Sequence, residues 1–148
     1  GAADGDPVHR AVRATLAAHR RPRPDYAAGR AAGRARATAM IDTSDGLLRD
    51  ADRVARASGV LLDLDPGMLT VRRRLRLVAD WLGTPARAAE WVLTGGEDHA
   101  LLACFGRGAR RPAAFRAVGR VRAVPRGGEP GVVVGGRRWD GETGWHHW

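Results

Sequence analysis

The stretch Ala39-Met-Ile-Asp-Thr-Ser-Asp-Gly-Leu-Leu48 decides how this sequence folds. Its first residues continue an apolar run that begins at position 37 and predicts a buried strand. From 44 to 58 the apolar residues recur at helical spacing, which predicts an amphipathic helix. Gly59 follows and is suited to end that helix, because glycine adopts a left-handed backbone without strain. The sequence therefore predicts a strand that turns directly into a helix.

Four polar side chains occupy the predicted turn: Asp42, Thr43, Ser44 and Asp45. The hydroxyl of Thr43 or Ser44 can cap the helix by accepting a hydrogen bond from a backbone N–H of its first turn. The helix dipole favours Asp45 there, whereas capping does not account for Asp42. Two carboxylates three residues apart, with a hydroxyl between them, also suit Mg²⁺, which prefers oxygen ligands. From the residues alone, both a capped helix and a metal site are open.

Outward from this stretch, local patterns predict further elements. Pro7–Arg20 has apolar residues at spacings of four and predicts a helix. The apolar run at 60–65 predicts a strand, and 115–124 alternates as a strand does. Residues 132–139, with two central glycines, predict a hairpin. The order strand, helix, strand around 37–65 indicates an α/β chain, but the sequence does not decide whether those two strands are neighbours.

A second polar stretch is Leu93-Thr-Gly-Gly-Glu-Asp-His-Ala-Leu-Leu102. Its two glycines allow positive φ and a close approach to a partner. Glu97, Asp98 and His99 follow, and then an apolar run predicts a strand. A turn with solvated acids is the alternative to a binding loop. The glycine pair is not a Walker loop, since no Gly-Lys-Ser/Thr sequence follows it.

Composition limits the class of protein. A chain of 148 residues suffices for one domain with a core. No apolar run approaches the roughly 20 residues of a membrane span, and the first residues lack the pattern of a signal peptide. The single cysteine, Cys104, excludes an internal disulfide framework and suits a reducing compartment. We therefore expect a cytoplasmic protein that does not bind membranes.

The net charge is +9, and all the basic residues counted in it are arginines, because the chain contains no lysine. Asparagine and glutamine are also missing, so the arginines reflect a compositional bias more than a binding requirement. They are scattered along the chain without the interleaved aromatics of a nucleic-acid platform. The sequence predicts no nucleic-acid partner, and a basic surface that favours anionic ligands.

Taken together, the segments 40–47 and 93–102 resemble the sequence of thiamine-monophosphate kinase. The segment 19–24 and the ending from Gly144 to Trp148 resemble it as well. The resemblance covers nearly the whole chain but only the C-terminal half of that enzyme. It implies an α/β (α+β) fold, a three-layer α/β/α domain of the aminoimidazole ribonucleotide synthetase type with a mixed sheet of about four to six strands, distantly ferredoxin-like. Residues 1–148 would form this single domain, without the N-terminal ATP-binding domain.

The resemblance also implies roles for individual residues. They are Asp42 and Asp45 as Mg²⁺ ligands, Ser44 as an ATP contact, and Glu97, Trp145 and Trp148 as contacts of the substrate. The family usually has Tyr and Glu where this chain has His99 and Ala100, so the second motif matches less well than the first.

The implied reaction is the Mg²⁺-dependent transfer of the ATP γ-phosphoryl group to thiamine phosphate. The implied partners are ATP, thiamine phosphate, the N-terminal domain and a second copy in a homodimer. Two alternatives remain: a non-catalytic regulatory module of the same fold, or another ATP-dependent enzyme of the same superfamily.

Overall fold

The computed structural model describes residues 6–96 and 99–141. Within these residues, five helices and five strands form. In chain order they are α1 (Pro7–Arg20), α2 (Tyr26–Arg34), β1 (Ala37–Thr43), α3 (Leu47–Ser58), β2 (Val60–Leu64), α4 (Arg73–Trp81), α5 (Arg87–Thr94), β3 (Ala100–Phe105), β4 (Gly119–Ala123) and β5 (Gly131–Val134). None of the helices in this part of the chain is long and apolar enough to cross a membrane.

The strands divide between two sheets. Strands β1 and β3 pair antiparallel, while β2 lies between β4 and β5. Because β2 is antiparallel to β4 and parallel to β5, the three-stranded sheet is mixed. The predicted α/β class is confirmed, and the described strands number five. They form two sheets instead of one, and β1 and β2 are not neighbours.

Helix α3 provides the centre of the core. Its apolar stripe buries Leu48, Ala51 and Ala55, and the helix contacts β1, β2, β5 and α5. The stripe follows the helical period that the sequence predicted. Gly59 ends the helix in the left-handed conformation, as expected. Against α3 pack the buried side chains of β2, α5 and β5: Leu62, Leu64, Leu93 and Val132.

Helices cover both faces of the β1–β3 pair. Leu102 and Cys104 of β3 pack on the core that α3 organises. Leu101 points to the other face, since side chains alternate along a strand, and there a Cβ added at Gly29 of α2 would lie 3.5 Å from its Cδ1. The layers are therefore α2, β1–β3 and α3, which confirms the three-layer α/β/α prediction.

Two local predictions were only partly correct. The strand expected at 115–124 is confined to β4, and Phe115 instead packs edge-to-face on Phe105 with ring centroids 5.7 Å apart. The hairpin expected at 132–139 is reduced to one bridge between Val134 and Arg137. Strand β5 pairs with β2 because parallel pairing there buries its apolar residues in the core.

We expect Leu48→Ala to lower the free energy of unfolding by about 2–5 kcal/mol, because Leu48 is fully buried and the truncation leaves a cavity. Leu16→Ala is the matched control: Leu16 is also helical but is 47% exposed, and its truncation should cost about 0.5 kcal/mol or less. Urea denaturation measures both values. Equal losses would contradict the placement of α3 at the centre of the core.

An ion pair joins β2 to β4 and to the turn after β5. Arg122 donates to Asp63 at 2.8 Å, and the backbone N–H of Gly136 donates to the same carboxylate at 2.9 Å. The hydrogen bond from Arg122 is the main reason that the pKa of Asp63 lies below its ordinary value of 3.8. A carboxylate whose pKa is lower in the folded than in the unfolded protein stabilises the fold at pH values above its unfolded pKa. This stability is lost as the pH falls through its folded pKa.

Arg122→Gln should therefore lower the free energy of unfolding at pH 7, by less than about 1 kcal/mol because the guanidinium is largely exposed. The difference from wild type should shrink as the pH falls below 3.8. Urea denaturation at pH 7, 4 and 3 tests this, with Arg126→Gln in an exposed loop as the control. A difference that stays constant over this pH range would exclude the ion pair as its source.

Candidate functional site

The two polar motifs meet along one strand pair. In the antiparallel register of β1 and β3, Asp42 lies opposite Leu101 and Thr43 opposite Ala100. The Thr43 hydroxyl donates to the Ala100 carbonyl at 3.2 Å. The end of β1, within the first motif, therefore lies beside the start of β3, within the second motif.

The approach to β3 is sharply turned. His99 has φ 46°, a left-handed conformation that is uncommon for residues other than glycine. It is half-buried, and it lines the same cleft as Thr43. All three predicted substrate contacts, Glu97, Trp145 and Trp148, lie outside the described residues.

The prediction that a hydroxyl caps the helix was wrong. Helix α3 begins at Leu47 with Gly46 as its N-cap, and among the described residues no side chain makes a capping hydrogen bond there. Gly46 has φ 111°, a conformation that favours glycine. Because Gly46 occupies the N-cap position, Thr43 and Ser44 lie upstream of the position from which a side chain caps the helix. The Thr43 hydroxyl bonds to β3 instead.

A cluster of Asp45, Asp50 and Arg53 surrounds the turn, and we call it the acid–arginine cluster. The buried Asp50 carboxylate accepts the backbone N–H of Asp45 at 3.0 Å. Nη1 of Arg53 lies 2.7 Å from Oδ1 of Asp50 and 2.7 Å from Oδ2 of Asp45. The hydrogen bond to Asp45, followed by that to Asp50, raises the pKa of the Arg53 guanidinium.

Sequence reasoning missed Asp50, since the helical pattern placed it on the solvated face of α3. In the structure it is fully buried. A signal was available, because Asp50 lies three residues after Leu47 and four before Val54, at the edge of the apolar stripe. Its pairing with Arg53 three residues later also has helical spacing.

The carboxylates of Asp42 and Asp45, near the turn, fit part of the coordination shell of Mg²⁺. Asp42 is exposed, and Asp45 is largely buried with one oxygen held by Arg53. Across 6–96 and 99–141, no group of three or more His, Cys, Asp or Glu side chains is placed to hold a metal. Mg²⁺ is commonly bound by only one or two carboxylates, with water and substrate phosphates completing its shell. The two aspartates therefore suit Mg²⁺ only if other ligands are supplied.

A cleft of about 1250 Å³ adjoins the place where the motifs meet, and both sheets line it. Leu62 and Leu64 of β2 are among its apolar lining residues. Its charged lining residues are Arg23, Asp25, Asp63, Arg72, Arg107, Arg111, Arg116 and Arg120. Six arginines against two aspartates give the cleft a positive formal charge, which favours anionic ligands.

No family model matches the chain. The thiamine-monophosphate kinase of Mycobacterium tuberculosis is 46% identical over 128 residues, which are 86% of this chain and 36% of that protein. The chain is homologous to one part of the thiamine-monophosphate kinases. The resemblance expected from the two motifs is thus confirmed, and the chain spans about a third of the length of this relative.

Solved structures agree with this relationship. A structure of AaThiL complexed with AMPPCP and TMP has a TM-score of 0.64 and 33% identity, and the match covers 76% of this chain and 34% of that one. Thiamine-monophosphate kinase from Stenotrophomonas maltophilia has a TM-score of 0.66 and 29% identity, with 80% of this chain and 37% of that one covered. Over the matched residues, the fold described here is therefore similar to part of the fold of each of these two proteins.

Thr43→Val should lower the free energy of unfolding by about 1 kcal/mol, because it removes a partly buried hydrogen bond between the motifs without changing the side-chain shape. Thr38→Val, on the same strand, removes an exposed hydroxyl that donates to Cys104 at 3.3 Å. This control should cost less, since water replaces an exposed bond. Chemical denaturation compares the two, and equal costs would argue against a special link at Thr43.

Proposed function

We propose that this chain is the C-terminal domain of a thiamine-phosphate kinase. The enzyme would transfer the γ-phosphoryl group of ATP to the phosphate of thiamine phosphate, giving thiamine diphosphate and ADP. An N-terminal ATP-binding domain would complete the active site, and the full-length protein would act as a cytoplasmic homodimer.

The observation that carries this proposal is the β1–β3 register. It sets Thr43 opposite Ala100, so one residue from each of the two kinase-like motifs lies on adjacent strands. The relatives add support, because AaThiL is complexed with AMPPCP, an analogue of ATP, and with TMP, which in such an enzyme stands for thiamine monophosphate. The arginine-lined cleft beside the motifs suits two anionic substrates.

In this proposal Asp42 and Asp45 hold Mg²⁺, and Ser44 contacts ATP. The ion, when bound, neutralises phosphate charge and orients the phosphates for in-line displacement. The acceptor phosphate is already ionised enough to attack, so the site needs no strong general base. This agrees with a described site that offers carboxylates and a hydroxyl but no nucleophile–base pair.

The remaining contacts carry over from the family resemblance. Glu97 would bind thiamine phosphate, and Trp145 and Trp148 would line the pocket for its ring. Two sets of contacts among the described residues hold the backbone beside the proposed substrate contacts. Thr43 ties the end of β1 to β3, and the acid–arginine cluster holds the turn that carries Asp45.

The test is an ADP-release assay on the full-length protein with ATP, Mg²⁺ and thiamine monophosphate. We expect turnover with this acceptor, and a fall in kcat of about 100-fold or more in Asp42→Asn, because a charge that stabilises the transition state is removed. Asp80→Asn, on the exposed surface of α4, is the matched control and should leave the rate unchanged.

Two outcomes would overturn the proposal. A full-length protein that releases no ADP with thiamine monophosphate would favour a regulatory module or another enzyme of the superfamily. Wild-type turnover in Asp42→Asn at every Mg²⁺ concentration would remove Asp42 from the metal site.

A further inference from the structure

The buried carboxylate of Asp50 needs an explanation. It is fully buried on a helix that otherwise buries apolar residues. Removing a carboxylate from water costs several kcal/mol unless it is paired and hydrogen-bonded. Asp50 has both kinds of partner, since Arg53 pairs with one oxygen and the N–H of Asp45 donates to the other.

The hydrogen bonds of the Asp50 carboxylate do not cap α3. A capping side chain bonds to a free N–H of the first helical turn, but Asp50 bonds to Asp45, which precedes the N-cap Gly46. The carboxylate therefore holds the turn between β1 and α3. Arg53 extends this hold to the side chain of Asp45, because its Nη1 contacts both carboxylates at 2.7 Å.

The charges of the cluster matter as well as its bonds. Two carboxylates share one guanidinium, so the acid–arginine cluster has a formal charge of −1. If Asp50 were neutral, Arg53 would balance Asp45 alone, and only Asp42 would add negative charge at the turn. Asp50 thus affects Asp45 in two ways: it fixes the backbone, and it takes part of the positive charge of Arg53.

We propose that Asp50 is a positioning residue for the metal site of the kinase: with Arg53 it orients Asp45 and keeps the turn negative enough to attract Mg²⁺. This inference rests on the proposed function. It goes beyond that function by assigning a role to a residue that touches neither metal nor substrate.

The test measures Mn²⁺ binding to the full-length protein by electron paramagnetic resonance, with AMPPCP present so that no turnover is required. Asp50→Asn keeps the side-chain shape and an acceptor oxygen but loses the charge. We expect a 10- to 100-fold weaker Mn²⁺ affinity, as for partners that orient metal ligands. We also expect kcat to fall at limiting Mg²⁺ and to recover at high Mg²⁺, with the KM for thiamine phosphate unchanged.

Asp52→Asn is the matched control on the same helix. Asp52 also pairs with an arginine, Arg56 at 2.6 Å, and accepts a backbone N–H, that of Val132 at 3.1 Å. Its substitution should lower stability without changing Mn²⁺ affinity. If Asp50→Asn and Asp52→Asn bind Mn²⁺ equally well, Asp50 has only a structural role and the inference fails.

Arg53→Gln changes the two contributions in opposite directions, because it removes a contact that orients Asp45 but makes the cluster more negative. We therefore expect a smaller loss of Mn²⁺ affinity than the 10-fold or more of Asp50→Asn, with a lower kcat as Asp45 loses its anchor. If Arg53→Gln weakens Mn²⁺ binding by 10-fold or more, the charge argument is wrong; this holds even if Asp50→Asn does not fold. An Asp45→Asn background supplies the double-mutant cycle, in which the effect of Asp50→Asn should disappear.

The two proposals fail in different ways. Absence of wild-type turnover with thiamine monophosphate overturns the kinase function. Equal Mn²⁺ affinity of the Asp50 and Asp52 variants, in an enzyme that turns over, overturns only the positioning role.

Discussion

The burial of one face of α3 is the constraint on which the rest of the structure depends. The β1–β3 pair and the β4–β2–β5 sheet share no strand pairing in the described part of the chain. Helix α3 contacts β1 of the first and β2 and β5 of the second. Small residues on its stripe, Ala51 and Ala55, allow close approach to both. The relative placement of the two sheets therefore follows from how α3 packs.

The same helix sets the position of the candidate site. Packing fixes where α3 begins, and the turn from β1 has only Ser44 to Gly46 in which to reach it. Asp50 lies at the edge of the buried stripe, so the residue that holds this turn is itself part of the core. A site supported in this way is rigid on the side that carries Asp45, because moving that carboxylate would disturb buried contacts.

The chemistry of the proposed kinase accounts for two features of opposite charge, an arginine-lined cleft and an acidic turn. Both proposed substrates carry phosphates, so the site must attract anions and also hold the cation that neutralises them. Arginines dominate the cleft lining, while the acid–arginine cluster has the negative charge at the turn. The chain spans about a third of its relatives. In the proposed enzyme, the other metal ligands would come from the N-terminal domain.

Local pattern determined much of this protein from sequence alone. The bounds of α1, the apolar stripe of α3, the stop at Gly59 and the paired motifs all depend on neighbours within a few residues, which the sequence displays directly. The tertiary structure alone decided that β5 pairs with β2, and that Thr43 bonds to Ala100 and does not cap a helix. Both depend on which distant backbone group lies within hydrogen-bonding distance, and periodicity along the chain does not encode that distance.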